Sequence, residues 1–62
     1  MSASVFHNVY YDRPTRCWWG YWADANGCQL IDAVNACSKD ECLIELGTVR
    51  SDAMEIARER AA

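Results

Sequence analysis

The sequence predicts an α+β domain: a three-stranded antiparallel β-meander followed by a C-terminal helix that is bent or broken near Gly47. Three observations carry this. Two β-branched and aromatic runs flank a polar, proline-containing break at 12–16. An Asn-Gly pair at 26–27 separates the second run from a third, the strongest short-range hairpin signal. From Ser38 onward the apolar residues change to helical spacing.

The first strand is "VFHNVYY" at 5–11. "DRPTR" at 12–16 ends it, because Pro14 cannot donate to a ladder and its polar neighbours favour an exposed turn. "CWWGYWAD" at 17–24 is the second strand and "CQLIDAVNA" at 28–36 the third. Ser38 and Glu41 form an S-x-x-E capping box, in which each side chain reaches an orphan N–H at the other's position. Asp40 and Glu41 suit the positive end of the helix dipole. Cys42, Leu46, Val49, Ala53 and Ile56 follow at steps of 4, 3, 4 and 3, one continuous helical face over 39–61. Gly47 is a natural stop within it, and Ser51-Asp52 reads as a second N-cap. The competing reading is a fourth strand at 42–49, since "CLIELGTV" carries β-branched residues.

All three tryptophans lie in "CWWGYW" at 17–22, so strand register decides their roles. A loop of Ala25, Asn26 and Gly27, with Gly27 left-handed as a bulge, pairs Trp22 with Leu30 and Trp18 with Val34. A four-residue loop at 13–16 then sets His7 beside Trp22 and Tyr11 beside Trp18. Side chains alternate along a strand. One face therefore gathers Val5, Val9, Tyr11, Trp18, Trp22, Cys28, Leu30 and Val34, a core the helical stripe can cover. Asp32 is the misfit, falling on that face opposite Gly20; either Gly20 leaves room for it or the register is off there. The other face holds Phe6, Tyr10, Trp19, Tyr21 and Ile31, and nothing in the chain is left to cover them. Exposed apolar patches of this kind mark binding sites, and Trp and Tyr are the commonest interface anchors.

Nine acidic residues stand against six basic ones, a net charge of −3. This argues against broad, salt-driven nucleic-acid binding, which needs clustered Lys and Arg. Arg13 and Arg16 beside Trp19 keep one alternative open, a single-stranded nucleic-acid platform on the aromatic face with the arginines on phosphates. The four cysteines are spaced C-x10-C-x8-C-x4-C, without the C-x2-C pair of most structural zinc sites. Cys17 and Cys28 fall on opposite faces of the hairpin, so four ligands do not converge. Free thiols are expected; if any pair bridges, it is Cys17 with Cys37, both remote from the Asn-Gly turn. A thiol redox or metal role is the third alternative. His7, the only histidine, lies far along the sheet from Cys17, and no Gly-rich phosphate loop is present. No metal, cofactor or catalytic residue is therefore assigned, and the chain is not expected to be an enzyme.

A 62-residue chain allows one domain, 1–62, with a thin core. The N-terminal "MSASVFHN" lacks the basic and apolar regions of a signal peptide. No apolar run approaches the roughly 20 residues of a membrane span, so a cytoplasmic protein without membrane contact is expected. The size and element order are similar to those of small sheet-plus-helix proteins of phages and mobile elements, some of which inhibit host defence or transcription. No motif carries individual residues across from them. The functional expectation is a small binding protein that docks a partner protein, or itself as a homodimer, through Phe6, Tyr10, Trp19, Tyr21 and Ile31, with Arg13 and Arg16 at the rim.

Overall fold

The computed structural model describes residues 4–61. Strand β1 (Phe6–Asp12), β2 (Cys17–Ala23) and β3 (Val34–Ala36) form one antiparallel sheet in the order β1-β2-β3. Helices α1 (Lys39–Thr48) and α2 (Arg50–Ala61) follow. The expected β-β-β-α-α architecture is present, and 42–49 is helical over nearly all its length rather than a fourth strand.

The first hairpin has the expected register. His7 pairs with Trp22 and Tyr11 with Trp18, and the loop spans the four residues 13–16. The second turn also follows the sequence. Gly27 takes a φ of 85° and its N–H donates to the Asp24 carbonyl. The Asp24 carboxylate accepts from the amides of Asn26 and Cys28. Glycine is the residue that adopts this left-handed backbone without strain.

Beyond the turn the third strand departs from the straight register. Ala23 bridges Gln29, and the Leu30 amide donates to the Trp22 carbonyl at 2.9 Å, as expected. The ladder then breaks off and resumes two residues later, with Gly20 opposite Val34, Trp19 opposite Asn35 and Trp18 opposite Ala36. The expected Trp18–Val34 pair does not form. The physical reason is Asp32. A straight ladder would place its carboxylate on the core face; the extra residues let it sit exposed and bring Val34 inward instead. A shift of two residues preserves alternation, so the even-numbered positions keep their face. The ordered third strand is consequently three residues long, not nine.

Both helices pack on the face that carries Trp18, Gly20 and Trp22. Ser38 caps α1, its hydroxyl accepting from the Glu41 amide at 3.2 Å. Leu46, Ala53 and Ala57 join Trp22 and Leu30 in the buried cluster, with Val5, Val9, Val34, Val49 and Ile56 packed around it. Cys42 is fully buried. The helical path interrupts at Val49, two residues past Gly47, and α2 begins at Arg50 rather than at a Ser51 cap. Gly47 itself is exposed within α1. At the break the Trp22 indole N–H donates to the Leu46 carbonyl at 2.8 Å. Among the described residues no helix is long and apolar enough to cross a membrane.

Candidate docking face

The side of the sheet away from the helices presents the side chains of alternate residues. Phe6, Asn8 and Tyr10 come from β1, and Trp19 and Tyr21 from β2; cross-strand neighbours are Asn8 with Tyr21 and Tyr10 with Trp19. Phe6 is 57% exposed and Tyr10 46%. Trp19 and Tyr21, on the central strand, are half-buried between their neighbours. No described element covers this face.

Its two central aromatics are held at their polar ends. The Trp19 indole N–H donates to the Thr15 hydroxyl at 3.0 Å, and that hydroxyl donates to the Asp12 carboxylate at 2.7 Å. The Thr15 amide donates to the same carboxylate at 3.2 Å. Asn8 donates from its side-chain amide to the Tyr21 hydroxyl at 3.1 Å. A large ring whose rotamer is already fixed loses little conformational freedom on binding, which raises its value as an anchor. Sequence reasoning passed over Thr15. The available signal was Asp12 three residues before it, the pattern by which an aspartate side chain captures a turn.

Arg13 and Arg16 occupy the exposed β1–β2 loop. The Arg16 amide donates to the Arg13 carbonyl at 3.2 Å, and Arg16 takes a left-handed φ of 56°, a conformation uncommon for a residue other than glycine. The Trp19–Thr15 bond ties this loop, with Arg13 and Arg16 on either side of Thr15, to the outward face. Ile31 does not join the face. It lies in the segment that leaves the straight register, is half-buried, and packs against the core cluster. Trp18 also differs from expectation: it is half-buried rather than central to the core. Tyr11 meets it edge-on at 5.5 Å, and the Lys39 ammonium lies over its ring at 6.0 Å.

The four cysteines are free thiols in distinct settings. Cys28 and Cys37 are exposed, Cys17 is half-buried with its thiol donating to the Thr15 carbonyl, and Cys42 is buried. Extending the β2–β3 ladder one step past Trp18 and Ala36 brings Cys17 opposite Cys37. Burial pushes the Cys42 thiol up from its ordinary value, and the Glu45 carboxylate adds to the shift. A neutral, enclosed thiol is a poor nucleophile. Alkylation of the native protein should therefore modify Cys28 and Cys37 first and Cys17 more slowly, with Cys42 reacting only as the chain unfolds. A mass-spectrometric time course with peptide mapping checks the order; early labelling of Cys42 contradicts it. Among the described residues no three His, Cys, Asp or Glu side chains converge to hold a metal ion.

No protein-family model matches the chain, and no curated protein and no solved structure matches it.

Proposed function

We propose that this is a non-catalytic binding protein whose outward sheet face docks a partner protein. One observation carries the reading: Phe6, Tyr10, Trp19 and Tyr21 form a row of aromatics on a face that no described element covers, with the central pair held by hydrogen bonds. Exposed apolar surface ringed by polar groups favours burial against a complementary protein surface. Arg13 and Arg16 supply a charged rim, where electrostatics tune encounter more than affinity. The net charge of −3 opposes a polyanionic partner, which leaves nucleic acid the weaker candidate for this face.

The test is affinity capture from native extract with wild type and Trp19→Ala side by side. Trp19 is half-buried and outside the core cluster, so its removal should cost about half as much as losing a fully buried ring, on the order of 2 kcal/mol. It should reduce capture of a specific partner tenfold or more, the scale on which interface anchors act. Equal recovery by both proteins, with both folded by circular dichroism, overturns the assignment of Trp19 as an anchor. Loss of capture together with loss of fold is separated by the Trp19→Phe variant, which keeps a ring in place.

A further inference from the structure

The sheet has two edges, and they are treated differently. β3 is three residues long, and a very short edge strand offers little to pair with. β1 is seven residues, Phe6–Asp12, and is the other outer strand. Among the described residues nothing pairs with its free side. It contains no proline and no lysine, and its one Asp or Glu is Asp12 at the far end. The usual devices that blunt an edge are missing along its whole centre.

Apolar side chains flank this edge on both sides of the sheet. Phe6 and Tyr10 project on the outward face; Tyr11, 48% exposed, and Leu43, 38% exposed, lie on the helix side. Next to His7 is a shallow cavity of about 180 Å³ lined by His7, Trp22, Leu43, Leu46, Gly47 and Arg50, its walls mostly apolar.

We propose that the occupant of this edge is a second copy of the chain, with β1 pairing antiparallel to β1 of the other copy about a twofold axis at Val9. Two three-stranded sheets become one continuous sheet. This register overlaps the full strand, with Phe6 opposite Asp12 of the second copy. It places Tyr11 of the second copy opposite His7, on the same side of the sheet, beside the cavity that His7, Leu43 and Gly47 line. Directly opposed residues project to the same face about 5 Å apart, within reach of an aromatic ring. Charge permits the pairing. The two Asp12 residues end up six residues apart along the ladder, on the order of 20 Å, beyond the Debye length of about 8 Å at physiological ionic strength. Each Asp12 carboxylate is already engaged by Thr15. The pairing satisfies the free backbone groups of both edges at once and sets Phe6, Tyr10 and Tyr11 of each copy beside Asp12, Asn8 and His7 of the other, reducing their exposure. Only the exposed part of each aromatic, 57% of Phe6, 48% of Tyr11 and 46% of Tyr10, is left to bury, so the contact belongs to the small, concentration-dependent class below about 1,200 Å² in total.

The inference deepens the docking reading and shares Phe6 and Tyr10 with it, but Trp19 and Tyr21 lie on the central strand away from the β1 edge, so each can fail alone: Trp19→Ala should leave self-association unchanged. Sedimentation of the wild type should give twice the 7.0 kDa chain mass. In the proposed register residue 8 lies opposite residue 10 of the other copy. Asn8→Lys with Tyr10→Lys sets like charges against each other twice and should weaken association at least about tenfold. Asn8→Lys with Tyr10→Glu sets opposite charges there and should restore the dimer. A monomeric wild type up to millimolar loading overturns the proposal, as does equal association of the two double variants. If either variant fails to fold, amide exchange on the wild type decides. Protection of alternate β1 amides that is lost on dilution supports the pairing, and concentration-independent exchange along β1 overturns it.

Discussion

Trp22→Ala should leave the protein without a cooperative fold. Trp22 is 7% exposed and sits between the sheet and both helices, in the cluster with Leu30, Leu46, Ala53 and Ala57. Truncating a buried tryptophan costs about 3–5 kcal/mol. A second loss adds to it. The indole N–H supplies the Leu46 carbonyl at 2.8 Å, where the helical path breaks and the Val49 amide makes only a longer bond of 3.3 Å to the same oxygen. A buried carbonyl that loses a partner costs about 1–3 kcal/mol. A core of this size rarely supplies more than about 3–5 kcal/mol in total, so the deficit exceeds what is available. Trp22→Phe separates the terms, keeping most of the ring and removing the donor. It should fold, with stability reduced by about 1–3 kcal/mol. Trp18→Ala should cost about half as much as Trp22→Ala, because only part of that ring is removed from water. Urea denaturation followed by far-UV circular dichroism measures all three. A midpoint for Trp22→Ala equal to that of Trp18→Ala would contradict the assignment of Trp22 as the keystone.

What the sequence made legible was local. The register of the first hairpin follows from the alternation of His7, Val9 and Tyr11 against Trp18, Gly20 and Trp22, because a four-residue loop leaves one pairing that puts apolar residues on a common face. The Asp24 carboxylate that closes the second turn was not legible, but Gly27 marks that turn by its own backbone chemistry. Ser38 announces α1 just as locally. The features that escaped depend on what meets what across the fold. Asp32 signalled the slip between Leu30 and Val34 by being misplaced in a straight strand, but its remedy, extra residues looped out, is visible only once Val34 is seen opposite Gly20. With the slip, Ile31 left the outward face for the core margin. The helix break expected near Gly47 falls at Val49, and what fixes its place is tertiary: the Leu46 carbonyl is taken by a side chain from β2, 24 residues earlier. The candidate face was legible as Phe6, Tyr10, Trp19 and Tyr21, since alternation alone assigns them. Their fixation was not, since it runs through Thr15 and Asn8, polar residues whose partners come from strand pairing.

Gly20→Val should destabilise the protein nearly as much as losing Trp22. Gly20 is buried in the middle of β2, where α1 lies closest to the sheet. A Cβ built at Gly20 would stand 2.7 Å from Leu46 Cδ1, 3.1 Å from Leu46 Cγ and 3.1 Å from Cys42 Sγ. These are side-chain atoms, but they cannot swing aside freely. Leu46 is 2% exposed and Cys42 is 0% exposed, so each is already walled in by its neighbours. Even alanine must push α1 outward or force Leu46 from its rotamer, a change that costs about 1–3 kcal/mol in a packed core. The roughly 0.5–1 kcal/mol that alanine gains over glycine in backbone entropy offsets only part of this. Valine adds two methyl groups in the same gap and should reach or exceed the top of that range. If steric overlap with Leu46 is the cause, shortening the partner should relieve it. Gly20→Ala with Leu46→Val should then be less destabilised than the sum of the two single variants, a coupling of about 0.5–3 kcal/mol in a double-mutant cycle. Additive effects within error would mean that the helix does not rest on Gly20, and that the close approach of α1 to β2 is not what the glycine permits.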